Sequence, residues 1–102
     1  MKEQIIELKN GTATGYEVSL GPVNLVMART DTGLVGCGAL DIPALDKFAI
    51  PAARVSGVKS IDDLLAAELN LVNEAGLATG LQIGMTGRQA LETMQTGNGT
   101  GK

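Results

Sequence analysis

The sequence predicts an α+β domain, in which an N-terminal antiparallel four-strand meander is followed by mixed short helices and strands packing on a mixed sheet. Turn-forming glycine and proline residues divide the N-terminal part into short apolar segments, which is typical of antiparallel strands. The C-terminal part carries helix-capping patterns instead. The chain of 102 residues is long enough for one modest hydrophobic core, so we expect a single domain.

The meander is defined by its turn signals. Asn10-Gly11 is the dipeptide best suited to a type I′ hairpin turn, because both central residues of that turn need positive φ. Gly21-Pro22 and Asp31-Thr32-Gly33 predict the next turns. The third and fourth strands are apolar on both faces, which favours helices on one side of the sheet and a partner subunit on the other. The predicted strands are residues 3–9, 14–20, 23–29 and 34–39.

Helix signals dominate the second half of the chain. Pro43 suits the first turn of a short helix, and Ser60 followed by Asp63 is a helix-capping pattern. Thr86 and Gln89 have the spacing of a capping box, in which each side chain accepts a hydrogen bond from the other residue's backbone N–H. The predicted elements are a helix over 42–49, a strand over 52–58, a helix from 61 to 79 that a cap at Asn70 would divide, a strand over 81–85 and a final helix to about Gln95.

The C-terminal residues differ in composition from the rest of the chain. Residues 96–102 contain no aliphatic side chain that could anchor them, so we expect a flexible Gly-rich tail. Gly101-Lys102 imitates the end of a phosphate-binding loop, but that loop needs a Ser or Thr and a helix after the lysine. We therefore expect one domain over residues 1–95 and no nucleotide site in the tail.

The composition indicates self-association and argues against nucleic-acid binding. Tyr16 and Phe48 are the only aromatic residues and the chain has 14 glycines, so its core buries little area per residue. A thin core often gains stability from oligomerisation, and we expect a homo-oligomer. The net charge is -3 and the 8 basic residues are scattered, whereas binding nucleic acid needs a concentrated basic face.

Histidine is absent and Cys37 is the single cysteine, which excludes several kinds of site. A Ser-His-Asp triad, a Cys-His dyad and a typical catalytic zinc site cannot form within this chain. We predict no metal and no cofactor. The chain has no apolar run near the ~18 residues of a membrane span, and its N-terminus lacks the apolar core of a signal peptide. We therefore expect a cytoplasmic protein that contacts no membrane.

The first glycine-rich block is Gly36-Cys37-Gly38-Ala39-Leu40-Asp41. Cys37 is a candidate nucleophile, although a reactive thiolate needs a nearby cation or helix N-terminus. The alternative is a small buried residue in a packed strand, which the absence of histidine favours. Asp41 is a candidate general base or ligand contact. Its alternative is an N-cap for the helix at 42–49, which the Ile-Pro that follows Asp41 supports.

The second glycine-rich block is Gly84-Met85-Thr86-Gly87-Arg88. It leads the chain into a helix N-terminus, whose unpaired N–H groups and dipole attract anions. Its glycines would let a ligand approach the backbone, and Arg88 would supply a clamp for a carboxylate or a phosphate. The alternative is a plain capped helix, in which Arg88 pairs with an acid such as Asp41 or Glu92.

Four groups of residues together resemble a known family. They are Cys37-Gly38-Ala39-Leu40-Asp41, Arg54 with Gly57-Val58, Ile61-Asp62-Asp63-Leu64-Leu65 and Gly84-Met85-Thr86-Gly87-Arg88. Their combination is similar to the YunC-like family of small prokaryotic domains of unknown function, over residues 3–95. The resemblance implies a small α+β domain with a mixed sheet and carries over no activity, cofactor or catalytic residue.

The function stays open between three classes. The first is a domain that binds a small anionic ligand at the second glycine-rich block, with Arg54 as a further contact. The second is an enzyme that uses Cys37 or Asp41 with Arg54 and Arg88. The third is a structural or oligomeric scaffold. Arg54 and Asp41 can join the anion site only if the sheet brings the two glycine-rich blocks together.

Overall fold

A six-stranded mixed sheet is the centre of the computed structural model, which describes residues 1–9 and 11–100, with side chains through Gln95. Strands that are neighbours in the sheet are also neighbours along the chain. The predicted α+β class is confirmed. The elements are β1 (Lys2–Leu8), β2 (Gly11–Ser19), β3 (Asn24–Arg29), β4 (Leu34–Gly36), a 3₁₀ helix (Pro43–Phe48), β5 (Ala52–Arg54), α1 (Ile61–Ala66), β6 (Leu71–Val72), α2 (Glu74–Thr79) and α3 (Gly87–Thr100).

The meander from β1 to β4 is antiparallel throughout, as the turn signals predicted. Its first pair places Gly11 opposite Leu8, so Gly11 is the first residue of β2 and not a central residue of the turn. Asn10 lies outside the described residues, and the type I′ geometry stays a prediction. The second turn is closed by a hydrogen bond from the Leu20 N–H to the Val23 carbonyl at 2.8 Å.

The parallel pairing of β4 with β5 makes the sheet mixed. The connection between these strands carries the predicted short helix, which is a 3₁₀ helix with Pro43 in its first turn. Asp46 on this helix accepts hydrogen bonds from the N–H groups of Glu74 at 3.1 Å and Ala75 at 3.0 Å. The connection therefore also caps the first turn of α2.

Asn73 is the polar residue that joins the 3₁₀ helix, β5 and α2. It is buried, and its Oδ1 accepts hydrogen bonds from the N–H groups of Ala52 at 3.0 Å and Gly76 at 2.8 Å. Its Nδ2 donates to the carbonyls of Ile50 at 2.9 Å and Ile42 at 3.3 Å. Because both donor sites and both acceptor sites of the amide are in use, burying this side chain costs little free energy.

The helix predicted from 61 to 79 is divided, as the predicted break near Asn70 suggested, but the two short helices are separated by the strand β6, which was not predicted. Ser60 caps the first helix as predicted, and its Oγ accepts the Asp63 N–H at 3.1 Å. Asn73 caps the second helix, where Asn70 was expected. The segment between the helices completes the edge of the sheet against β5, and this tertiary pairing outweighs its helix propensity.

The strands predicted over 34–39 and 52–58 exist but are only three residues long, as β4 and β5. The strand predicted over 81–85 is wrong. Gly84 has a φ of 99°, which bends the chain sharply and leaves only a short backbone contact with Leu69. In that contact the Gly84 N–H donates to the Leu69 carbonyl at 3.1 Å.

The hydrophobic core lies between one face of the sheet and the helices α1 and α3. The opposite face is only partly covered within one chain, because Tyr16, Leu25 and Met27 are half-buried and Ile5 is 59% exposed. The expected partner subunit on that face stays a prediction. The larger core side chains are Ile61, Leu64, Leu69, Leu81, Leu91 and Met94.

The last helix, α3, extends to Thr100, beyond its predicted end at Gln95. Residues 101–102 and the side chains of 96–100 lie outside the described residues, so the flexible tail over 96–102 stays a prediction. In the described part of the chain, no helix combines the length and the apolar character needed to cross a membrane.

Candidate functional site

An open pocket of about 440 Å³ lies where the chain leaves β4, and we call it the Cys37 pocket. Three segments form its wall: the turn before β3, the first glycine-rich block and the loop after β5. Pockets of this size are in the range that small ligands occupy. The lining residues are Pro22, Val23, Asn24, Cys37, Gly38, Ala39, Gly57, Val58 and Lys59.

Gly38 lies in a turn closed by the Leu40 N–H and the Cys37 carbonyl at 3.2 Å, but neither its φ nor a close neighbour requires glycine. Among the glycines from Gly11 to Gly87, all in the described part of the chain, every other one either has a left-handed φ or packs against close neighbours. In the packed cases, an added Cβ would lie within 3.0 Å of another atom. At Gly38, φ is outside the left-handed region and a Cβ would meet nothing within 4 Å. Gly38 is exposed and is among the residues that line the Cys37 pocket.

Cys37 forms a buried part of the pocket wall and is 7% exposed. Its Sγ accepts a hydrogen bond from the Val26 N–H at 3.4 Å, and its own N–H donates to the Val26 carbonyl at 3.0 Å. These two bonds hold Cys37 against β3, just beyond the end of β4. The environment is that of a small buried residue at a strand end, and the nucleophile hypothesis stays untested.

Asn24 and Lys59 supply polar groups at the pocket, and sequence reasoning missed both. The Asn24 Nδ2 donates to the Lys59 carbonyl at 2.9 Å, and the Lys59 N–H donates to Asp63 Oδ2 at 3.0 Å. These bonds fix the Lys59 backbone between β3 and α1. No sequence pattern distinguishes Lys59 from an ordinary surface lysine. Its neighbours Gly57 and Val58 did belong to the motifs that carry the family resemblance.

Asp41 and Gly36, at the two ends of the first glycine-rich block, have structural roles. Asp41 Oδ1 accepts the Ala44 N–H at 3.2 Å and so holds the first turn of the 3₁₀ helix, although the N-cap position is occupied by Ile42, one residue later than predicted. A Cβ at Gly36 would lie 2.2 Å from Leu40 Cδ1, and glycine there lets the Leu40 side chain fold back over the strand. The middle of the block, from Cys37 to Ala39, lines the pocket.

The second glycine-rich block starts α3, and its predicted capping box is confirmed. The Gln89 N–H donates to Thr86 Oγ1 at 3.1 Å, and the Thr86 N–H donates to Gln89 Oε1 at 2.9 Å. The Gly87 N–H, which was expected to bind an anion, donates to the Ala67 carbonyl at 2.9 Å. Within the described residues, the backbone N–H of Arg88 has no hydrogen-bond partner.

Both glycines of the second block have structural reasons. Gly84 has the left-handed φ of 99° that turns the chain towards α3. A Cβ at Gly87 would lie 2.1 Å from the Leu64 carbonyl oxygen, so glycine lets α3 approach the backbone of α1. Neither glycine therefore needs a ligand to account for it.

The two arginines of the predicted site are held by different segments. Arg88 Nη1 donates to the Glu7 carbonyl on β1 at 3.0 Å, and Arg54 Nε donates to Asn70 Oδ1 at 3.0 Å. Neither arginine is among the residues that line the Cys37 pocket. The structure therefore does not bring these guanidinium groups together with Cys37.

The two glycine-rich blocks are separated across the sheet. Gly36 pairs with Arg54, the Arg54 carbonyl accepts the Asn70 N–H, and the neighbouring Leu69 carbonyl accepts the Gly84 N–H. Three strand spacings of about 4.8 Å each therefore lie between the blocks. A small ligand in the Cys37 pocket does not reach the start of α3.

The fold and the pocket define a small α+β domain with an open pocket at the end of its fourth strand. A family model described as "Domain of unknown function (DUF1805)" matches residues 36–94, which include both glycine-rich blocks. The chain belongs to this family. It is also 39% identical, over 85 residues, to the uncharacterized protein YunC of Bacillus subtilis (strain 168), covering 79% of this chain and 84% of YunC. The predicted relation to YunC is confirmed.

A solved structure shares the fold. The crystal structure of a protein of unknown function, TA1206 from Thermoplasma acidophilum, is similar to this chain with a TM-score of 0.84 and 25% sequence identity. The similarity covers 91% of each chain. None of these descriptions assigns an activity, so a functional proposal depends on the geometry of the site.

Proposed function

We propose that this protein is a binding module for a small molecule, which it takes up in the Cys37 pocket. The observation that carries the proposal is Gly38, which lies in the turn closed by the Leu40 N–H and the Cys37 carbonyl, although neither a left-handed φ nor a close neighbour requires glycine there. Glycine is expected where a ligand must approach the backbone closely. Gly38 lies in the wall of an open pocket, where such an approach is possible.

The rest of the pocket wall supports this proposal. Val23, Ala39 and Val58 provide apolar surface, and Asn24 and Lys59 provide polar groups. Small-molecule sites commonly combine a mostly apolar wall with a few polar groups that orient the ligand. The pocket is present in the single chain, so a ligand would need little rearrangement to enter.

The test is a titration of the full chain with primary amides, from butanamide to octanamide, followed by backbone amide chemical shifts. We expect shifts concentrated at residues 37–39 and 57–59, and we expect Gly38→Val to abolish them by filling the open wall. Ala66→Val, at an exposed position of α1 outside the pocket, is the matched control and should bind as the wild type does. Shifts elsewhere only, or unchanged binding by Gly38→Val, would refute the proposal.

An enzyme that uses Cys37 or Asp41 is the second candidate, without the predicted help of Arg54 and Arg88, which do not line the Cys37 pocket. The position of Cys37 in a pocket wall favours it. Alkylation of the native protein near neutral pH discriminates the two candidates, with the denatured protein as the control for full reactivity. A nucleophile requires rapid alkylation, whereas the buried and hydrogen-bonded thiol of a binding module should react slowly.

An anion contact at Gly84–Arg88 is a separate proposal. The exposed Arg88 side chain and its backbone N–H, which has no partner among the described residues, support it. Inorganic phosphate should shift the amides of this block in the wild type and less in Arg88→Ala. Arg29→Ala, which removes an exposed arginine of β3, is the control and should leave the response intact. Equal responses of wild type and Arg88→Ala would end the proposal.

We further propose a cytoplasmic homo-oligomer. The half-buried side chains of Tyr16 and Met27 and the exposed Ile5 support a second copy over the open sheet face. The free thiol of Cys37 is typical of a reducing compartment, which cell fractionation would check. Light scattering should give a mass above that of one chain, and Ile5→Lys should lower it. A single-chain mass at high micromolar concentration would contradict self-association.

A further inference from the structure

We propose that the ligand of the Cys37 pocket is a carboxylic acid with a short apolar chain, and that Lys59 binds its carboxylate. This inference rests on the proposed binding function and names the chemical class that the pocket selects. The inference is based on the position of Lys59, which lies with Asn24 in a pocket wall formed otherwise by apolar residues and glycines.

Lys59 supplies the only charge of the wall. Among the described residues that line the pocket, it alone has a charged side chain, and none is acidic. Within the described part of the chain, its ammonium forms no ion pair at 4.0 Å or less. A carboxylate in the pocket would supply the missing counter-charge through a charge-assisted hydrogen bond.

The backbone of Lys59 is held in place before any ligand arrives. The Asn24 side chain donates to its carbonyl at 2.9 Å, and its N–H donates to the Asp63 carboxylate at 3.0 Å. The Asp63 N–H in turn donates a hydrogen bond to Oγ of the cap residue Ser60 at 3.1 Å. Binding therefore has to order only the lysine side chain, which keeps the entropic cost of binding low.

The apolar side chains of the pocket wall favour a ligand that has an apolar part. Pro22, Val23, Ala39 and Val58 contribute it, and Val23 is 61% exposed in the single chain. A hydrocarbon chain seated here would remove this surface from water, which is favourable in proportion to the area covered. The open wall at Gly38 gives that chain room.

A single lysine favours a carboxylate over a phosphate ester. A phosphate monoester carries close to two negative charges near neutral pH, and a carboxylate carries one. Lys59 is followed closely by the acidic first turn of α1, with Asp62 and Asp63. Because these two carboxylates outnumber the single ammonium, they repel a doubly charged ligand more strongly than a singly charged one.

The experiment compares the acids from butanoate to octanoate with the primary amides of the same acids, using amide chemical shifts of the full chain. The wild type should bind each acid roughly two- to fivefold more tightly than its amide, as expected for a partly exposed charge pair. Lys59→Gln should remove this preference, so that each acid and its amide bind with similar affinity. Lys47→Gln, which changes an exposed lysine of the 3₁₀ helix, should keep it.

The outcomes separate this inference from the function on which it rests. Equal affinities for acids and amides, or an acid preference that survives Lys59→Gln, would overturn the carboxylate proposal and leave the binding function standing. Inorganic phosphate alone should leave residues 57–59 unshifted, and an equal response to phosphate would also overturn it. If neither acids nor amides shift residues 37–39 and 57–59, the proposed function fails as well.

Discussion

The two glycine-rich blocks look alike in the sequence, but their glycines have different physical reasons. In the second block, Gly84 provides a left-handed turn. Gly87 lets α3 lie close to α1, because a Cβ at this position would be 2.1 Å from the Leu64 carbonyl oxygen. In the first block, Gly36 makes room for Leu40. Gly38 makes room for no atom of the described chain and lies in a pocket wall.

The comparison of the two blocks shows that a glycine-rich turn before a helix is not by itself an anion site. The Gly87 N–H is already bonded to the Ala67 carbonyl, and the Gln89 N–H is bonded to Thr86. Capping, a left-handed turn and close packing account for the glycines of this block. The informative glycine is Gly38, which neither a left-handed φ nor a close neighbour requires.

The largest effect is expected from Gly87→Ala. Its Cβ would overlap the Leu64 carbonyl oxygen, so α3 would have to move away from α1. We expect the free energy of unfolding to fall by about 2–3 kcal/mol, as for other overpacked sites, measured by urea denaturation. A loss below about 0.5 kcal/mol would show that the two helices are not in close contact.

A smaller loss is expected from Gly84→Ala. A Cβ there would meet no atom within 4 Å, so the cost comes only from the φ of 99°. We expect a loss of about 1–2 kcal/mol in the same denaturation experiment. Gly84→Asn should lose less, because Asn tolerates positive φ better than Ala does. If Gly84→Ala is as stable as the wild type, the backbone does not need glycine at this turn.

Removing a helix-capping side chain from either block should lower the free energy of unfolding by less than Gly87→Ala or Gly84→Ala does. Thr86→Ala removes half of a capping box at the start of α3, and we expect a loss of about 1 kcal/mol. Asp41→Ala removes one exposed hydrogen bond at the 3₁₀ helix, and we expect about 0.5 kcal/mol. Both losses are measured by urea denaturation. A larger loss for Asp41→Ala would mean that Asp41 holds more of the structure than this single bond.

The meander could be predicted because its turns are local events, each signalled by adjacent residues. The break of the helix from 61 to 79 was predicted, but near Asn70. Its position at Asn73 could not be, since it depends on the partners Ala52, Ile42 and Ile50, which are distant in the sequence. The apolar residues of 81–85 predicted a strand. No local pattern shows that Gly84 takes a left-handed φ and bends the chain there.

The candidate site could be predicted only in part. Cys37 belonged to a conspicuous block, and Gly57 and Val58 belonged to the family resemblance. Asn24 and Lys59 had no signal, because they join the pocket through a hydrogen bond between residues 35 positions apart. Whether a glycine faces packed atoms or open space is likewise a property of the folded chain.

Substitution of Gly38 by Ala and by Val tests the central claim most directly, with unfolding and probe binding measured on the same proteins. Because a Cβ at Gly38 meets nothing within 4 Å and φ is unstrained, Gly38→Ala should be more stable than the wild type by about 0.4–1 kcal/mol. Binding of octanoate and octanamide should weaken from wild type to Ala and be lost in Val. A clear loss of stability in Gly38→Ala, or unchanged binding by Gly38→Val, would contradict a glycine kept open for a ligand.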